Sequence, residues 1–233
     1  MCLKPQTLKF EIPKSQIQTH MKKSLVLTTL LAAVVAANAT IYTTNWNSGF
    51  ANAGVVPDNN SSGWSDSRSV STMPAGTFVG LTVDLQLTGG WNGDLYAYLV
   101  HSTGFSVLLD RVGAPGVDAF GYGDAGMNVN LAATGSSIHG YGGGNVFSAT
   151  PTGTWMTDNT SGSLASFLST SPNGTWSLFV ADLSGGGVST VQSWGLQMDI
   201  VAVPEVETWV AAALAGAFGA FWLNRQVFKT KST

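Results

Sequence analysis

Cysteine is nearly missing from this chain. Cys2 is the only one in 233 residues, and it lies ahead of the segment read below as an export signal. A mature chain without cysteine has neither disulfides nor thiol chemistry, and a domain of this length buries a sufficient core without them. Charge is scarce too, at 10% of residues, and unevenly placed. Between Thr40 and Ile200 there is no lysine and no glutamate; ten aspartates face two arginines, Arg68 and Arg111, for a formal charge of −8. Such a surface repels phosphate backbones, which excludes nucleic acid as a partner.

Histidine is confined there to His101 and His139. Nucleophilic hydrolysis needs a base beside a serine or cysteine, and no Gly-x-Ser-x-Gly elbow occurs. Both histidines read as surface or loop residues. Zinc needs His or Cys clusters, which are absent. A glycosidase uses paired carboxylates, but among ten aspartates a pair carries no weight, and there is no glutamate to act as the acid. The chain therefore reads as non-catalytic.

Glycine is plentiful, with 28 residues. It punctuates short runs of strict two-residue alternation, the signature of strands with one buried face. Leu81, Val83, Leu85 and Leu87 share one face, opposite Thr82, Asp84 and Gln86. Trp176, Leu178 and Val180 repeat the pattern, as do Trp194, Leu196, Met198 and Ile200. Gly89-Gly90, Asn92-Gly93, Asn173-Gly174 and Gly185-Gly186-Gly187 supply the turns. Helical periodicity is missing apart from one turn at Ser163–Leu168. The expected fold is all-β, a jelly-roll-like β-sandwich over residues 40–202, with a closed barrel as the alternative.

Two apolar segments frame this domain. Met21-Lys22-Lys23, the run Leu25–Ala37 and the small-x-small site Ala37-Asn38-Ala39 form a signal peptide over 21–39, cut by signal peptidase before Thr40. Residues 1–20 are polar and precede Met21, so they read as a misassigned start or an extension of the n-region. At the other end Trp209–Leu223 is apolar on all sides, and Arg225, Lys229 and Lys231 follow, placing the tail in the cytoplasm. Fifteen helical residues span roughly 22 Å against roughly 30 Å of hydrocarbon. That suits a transient transmembrane anchor.

Val203-Pro204-Glu205, the apolar helix and the basic tail together resemble a PEP-CTERM sorting signal over 203–233. The resemblance implies recognition by an exosortase, a membrane cysteine protease, in a Gram-negative bacterium that makes extracellular polysaccharide. Val206 stands where that motif usually has its second proline. The central domain has its own resemblance. Val79–Leu109, and Pro172-Asn173-Gly174-Thr175-Trp176 followed by Ser193-Trp194-Gly195-Leu196, look like the P domain of kexin- and furin-type proprotein convertases. This match covers about 60 of some 160 mature residues, and Arg111–Asp158 is the loosest part. The likeness implies a jelly roll used here without a protease.

Three sets of candidate residues follow. Asp58-Asn59-Asn60, Asn92-Gly93-Asp94 and Asp182 carry oxygen donors at turns and strand ends, the chemistry calcium takes, although turn formation accounts for the same residues. Some P domains bind calcium, so the resemblance also points to Ca2+. Asp182 shares the parity of Val180 and is expected to point inward, partnered by calcium, Arg68, Arg111 or backbone N–H groups. Trp91, Tyr96, Tyr98, Tyr122 and Tyr141 are candidates for stacking on carbohydrate, though one face of the Tyr96–Tyr98 strand must be core. The sequons at Asn59, Asn60, Asn159 and Asn173 read as coincidence. The expected role is that of an exported structural or adhesive protein of the cell surface or extracellular matrix. A carbohydrate- or protein-binding module is the alternative, and a secreted hydrolase ranks last.

Overall fold

The computed structural model describes residues 38–113, 119–142, 150–158, 162–202 and 213–222. Residues 38–202 belong to one compact unit and the helix at 213–222 to another.

The first unit is a two-sheet β-sandwich. Its described strands are β1 (Ala39–Trp46), β2 (Asn60–Val70), β3 (Gly76–Gly89), β4 (Leu95–His101), β5 (Gly104–Asp110), β6 (Met127–Ser137), β7 (Thr152–Met156), β8 (Gly174–Asp182) and β9 (Ser189–Ala202). One sheet has the order β1-β9-β3-β6-β7 and the other β2-β8-β4-β5. They are separate sheets, so the closed barrel is not formed. Neighbours run antiparallel except β6 and β7, which are parallel. The single turn expected near Ser163 is a 3-10 helix at Leu164–Phe167, capped by the Ser163 hydroxyl accepting from the Ala165 N–H.

The alternating pattern is what assembles the core. In the β3–β9 ladder Leu81 faces Met198, Val83 faces Leu196 and Leu85 faces Trp194, and all six side chains are buried. On the facing sheet Leu178 and Val180 of β8 lie opposite Leu99 and Ala97 of β4, and Trp176 and Leu95 are buried with them. Trp176 packs edge-on against Phe78 of the opposite sheet, with ring centroids 6.4 Å apart, and against Phe167 at 5.1 Å. Its Nε1 donates to the Pro172 carbonyl at 2.8 Å, so the ring is buried without an orphaned donor.

Two expectations need correction. His101 is buried, not a surface residue; its ring stacks on Trp176 at 4.3 Å and Nδ1 bonds the Thr103 hydroxyl at 2.8 Å. Burial pushes its imidazole below the usual range. Tyr122 is buried as well, so it offers no stacking face. The loose stretch Arg111–Asp158 contains two strands, β6 and β7, with Met127, Val129 and Leu131 pointing into the core.

In the second unit, 213–222 is helical and exposes Leu214, Phe218, Phe221 and Trp222. No helix among the described residues is long and apolar enough to cross a membrane. Ala37, Val203, Pro204, Glu205, Trp209, Leu223, Arg225 and residues 1–20 lie outside the described residues. Ala39 is described; it opens β1 opposite Val201.

Candidate functional site

Strand pairing gathers the candidate acids at one end of the sandwich. Asp182 ends β8 between Asn60 of β2 and Leu95 of β4. Asp94 precedes Leu95, and its carbonyl accepts from the Leu183 N–H at 2.9 Å. Asp58 reaches across to the Gly186 N–H, at 3.2 and 3.3 Å from its two carboxylate oxygens. The loops that carry Asp58, Asp94 and Asp182 are far apart in sequence, yet the three carboxylates act on one another.

Burial pushes Asp182 up to about 6, and the negative charges of Asp94 and Asp58 add to the rise. Backbone N–H groups of Ser184 and Asn59 oppose it; the Ser184 bond to Oδ1 is 3.3 Å. Asp182 thus points inward as expected, and of the proposed partners the backbone supplies the contacts. Its Oδ2 is buried without a hydrogen-bond partner among the described residues. Burial also raises Asp94, offset in part by the Ser184 hydroxyl and the charge of Arg111. Among the described residues, no group of three or more His, Cys, Asp or Glu side chains is arranged to hold a metal ion.

Beside this cluster lies a recess of about 350 Å³ whose lining includes Trp91, Asp94, Arg111, Phe120 and Ser184. Close backbone approach builds it. The Gly93 N–H donates to the Tyr122 carbonyl at 2.8 Å, and the Asn92 N–H to the Asp124 carbonyl at 2.9 Å. A Cβ on Gly93 would fall 2.5 Å from backbone atoms of Gly121 and Tyr122, so only glycine fits there. Arg111 adopts φ +55, an uncommon conformation for a residue with a side chain. Its Nε donates to the Gly93 carbonyl at 3.3 Å and its NH2 group to the Phe120 carbonyl at 3.4 Å.

A polar network backs the recess. The Asn92 amide donates to the Gly126 carbonyl at 2.9 Å and to the Tyr141 hydroxyl at 3.3 Å. That hydroxyl donates to Asp124 Oδ2 at 3.1 Å. Tyr141 is therefore a half-buried network member, and burial drives its phenol well above the usual range. The Tyr122 hydroxyl donates to the His139 carbonyl. His139 Nε2 meets Asp158 Oδ1 at 2.6 Å, and Nδ1 accepts the Gly113 N–H at 2.8 Å. A carboxylate beside a histidine is half of a hydrolytic triad, but here both ring nitrogens are occupied. His139 cross-links loops and has no nitrogen left to act as a base.

The four-stranded sheet has a second feature on its outer face. Leu95, Ala97 and Leu99 are core, so Tyr96 and Tyr98 point outward. Tyr98 stacks on Phe179 at 4.5 Å and 15°, tilts against Phe105 at 5.3 Å and meets Tyr96 at 6.1 Å. All four rings are half-buried. They form a continuous aromatic ribbon across β5, β4 and β8.

No family model matches the chain, and no curated protein matches it. Among solved structures, that of the Aeromonas sobria serine protease in complex with its chaperone is similar, at 17% identity and a TM-score of 0.43. The match covers 74% of this chain and 29% of that one, so the chain spans under a third of its neighbour's length.

The structure therefore divides the sugar-stacking candidates. Trp91 belongs to the recess; Tyr96 and Tyr98 belong to the ribbon. Reading the sequence missed Arg111 and Phe120 in the first and Phe105 and Phe179 in the second. Phe179 had a usable signal, since it sits at odd parity to Trp176, Leu178 and Val180. Asn173, a sequon residue, clamps Met73 instead: its amide accepts from and donates to the Met73 backbone, at 3.0 Å each way.

Proposed function

We propose that the chain is an exported, non-catalytic protein of the cell surface or extracellular matrix whose sandwich adheres to polysaccharide. The observation that carries this reading is the aromatic ribbon of Tyr96, Tyr98, Phe105 and Phe179 on the outer sheet face. A solvated sheet face ordinarily carries polar side chains. Here contiguous rings offer flat apolar surface, and a sugar's C–H face stacks on such a surface while its hydroxyls stay in water. The full engagement of both His139 nitrogens favours binding over hydrolysis.

The sorting route is part of the proposal. Residues 21–39 would be removed by signal peptidase. The segment 203–233, with its PEP-CTERM-like Val203-Pro204-Glu205, would engage an exosortase-like protease after transient anchoring. A P-domain-like jelly roll used without its protease accords with a two-sheet sandwich of this length.

Two measurements test this reading. Intact mass of the protein recovered from the cell surface or medium is expected to show a start at Thr40 and a C-terminus near Glu205. Retention on insoluble neutral polysaccharide is expected for that protein and to be lost on Tyr98→Ala. A full-length product in the cytosol would overturn the sorting, and retention indifferent to Tyr98 would overturn the adhesive role.

A further inference from the structure

We propose that the recess between Trp91 and Phe120 is a second site, built for one neutral sugar unit whose adjacent hydroxyls bridge Asp94 and Arg111. It uses different residues from the ribbon and stands or falls separately from it.

Size and walls come first. About 350 Å³ lies at the small end of ligand clefts, enough for a single ring but not for a chain. Trp91 is partly exposed and Phe120 is 80% exposed, so both present ring surface to an entering group. Phe120 is the most exposed aromatic of the sandwich among the described residues.

The polar groups then narrow the ligand. Asp94 offers acceptors and Arg111 offers donors into one recess, and among the described residues neither belongs to a salt bridge. Two adjacent hydroxyls suit such a pair, one donating to the carboxylate and one accepting from the guanidinium. One positive and one negative group select a neutral ligand. A uronate or phosphate would meet Asp94 with Asp58 and Asp182 close behind it. A cationic group would be desolvated against Arg111.

The site is also preformed. Arg111 keeps φ +55, a conformation that costs on the order of 1 kcal/mol or more for a residue with a side chain. Its backbone N–H bonds the Leu95 carbonyl at 2.9 Å, and its side chain hooks the Gly93 and Phe120 carbonyls. Glycine at 111 would remove that strain together with the guanidinium. The glycine contact between Gly93 and Gly121 fixes the loops on either side.

The experiment is titration of the purified mature protein with glucose, galactose, mannose, glucuronate and glucosamine, read by tryptophan fluorescence and calorimetry. Saturable binding of at least one neutral hexose is expected, in preference to the charged sugars. Arg111→Gly is expected to weaken it at least tenfold with the fold retained, because relief of the left-handed backbone offsets the loss of the two carbonyl bonds. Asp94→Asn is expected to weaken it similarly. No saturable hexose binding, a preference for glucuronate or glucosamine, or full affinity in a folded Arg111→Gly protein would each overturn the proposal. If hexose binding is absent while polysaccharide retention still depends on Tyr98, the recess proposal alone fails.

Discussion

Trp194 Nε1 donates to Asp66 Oδ2 at 2.7 Å, tying β9 of one sheet to β2 of the other through the core. The same oxygen accepts Arg68 Nε at 2.6 Å, and the Arg68 guanidinium lies over the Phe50 ring, 5.4 Å from its centroid. Asp66 therefore satisfies the indole N–H of a fully buried ring while it neutralises one of the domain's two cations. Removing the carboxylate orphans the indole donor, which costs about 1–3 kcal/mol; the partly exposed ion pair adds under about 1 kcal/mol. Asp66→Ala is expected to destabilise by roughly 2–3 kcal/mol in urea unfolding. In a cycle with Trp194→Phe the two losses are expected to be strongly non-additive. Additive losses would mean that the bond contributes nothing.

His139 and Asp158 make a different kind of link. The Asp158 side chain is 3% exposed and also accepts the Asp110 N–H at 2.5 Å. Burial raises it above the usual carboxylate range, with the Asp110 N–H and His139 opposing. His139→Ala would take the Nε2–H donor away from this buried carboxylate, at a cost of about 1–3 kcal/mol. The expected result is a lower melting temperature and earlier proteolytic nicking of the 119–142 loops, with hydrolysis of ester and glycoside substrates at background level in both proteins. Wild-type hydrolysis that the variant loses would instead make His139 a working base.

Asp182 gives a pH dependence of known sign. Folded, it holds its proton up to about pH 6; unfolded, only to about pH 4. Between those values the native state binds more protons, so this group's contribution to stability rises as pH falls from 7 toward 4. His101 works oppositely: its folded pKa is depressed, so its contribution falls as pH drops below about 6.5. Comparing Asp182→Asn with wild type isolates the first effect. The variant is expected to be more stable at pH 7.5, by on the order of 2 kcal/mol, with the advantage vanishing near pH 4. If millimolar calcium raises the wild-type melting temperature and Asp182→Asn abolishes the rise, a cation rather than a proton relieves the cluster.

The strands that could be read in advance are those whose buried face is made of large aliphatic and aromatic residues. Leu81 to Leu87 and Trp194 to Ile200 alternate without interruption, and pairing buries both runs on the same side. β2 hid because its inward positions are Trp64, Asp66, Arg68 and Val70, two of them charged residues that satisfy each other. β6 hid because only Met127, Val129 and Leu131 alternate before an exposed Ala-Thr-Gly-Ser tail. The site residues followed the same divide. Aspartates at turns were legible as residue types, but their meeting at one end depends on β2 and β4 flanking β8. Arg111 was illegible because its role comes from a left-handed turn and two carbonyl contacts, neither of which its neighbours in sequence announce.

The ribbon separates stability from binding. Tyr98 sits at its centre, touching Tyr96, Phe105 and Phe179. Removing its ring forfeits three aromatic contacts, each about 0.5–1.5 kcal/mol. Tyr98→Ala is therefore expected to cost about 2 kcal/mol of stability as well as polysaccharide retention, and the variant alone would confound the two. Tyr96→Ser resolves the confusion, because Tyr96 touches only Tyr98 among the ring contacts described. Its expected cost is under about 1.5 kcal/mol, yet it shortens the ribbon by one ring and should weaken retention several-fold. Tyr98→Phe keeps the stack and is expected to keep both properties. Retention that tracks melting temperature across all three variants, rather than ring count, would mean that the ribbon is packing and nothing more.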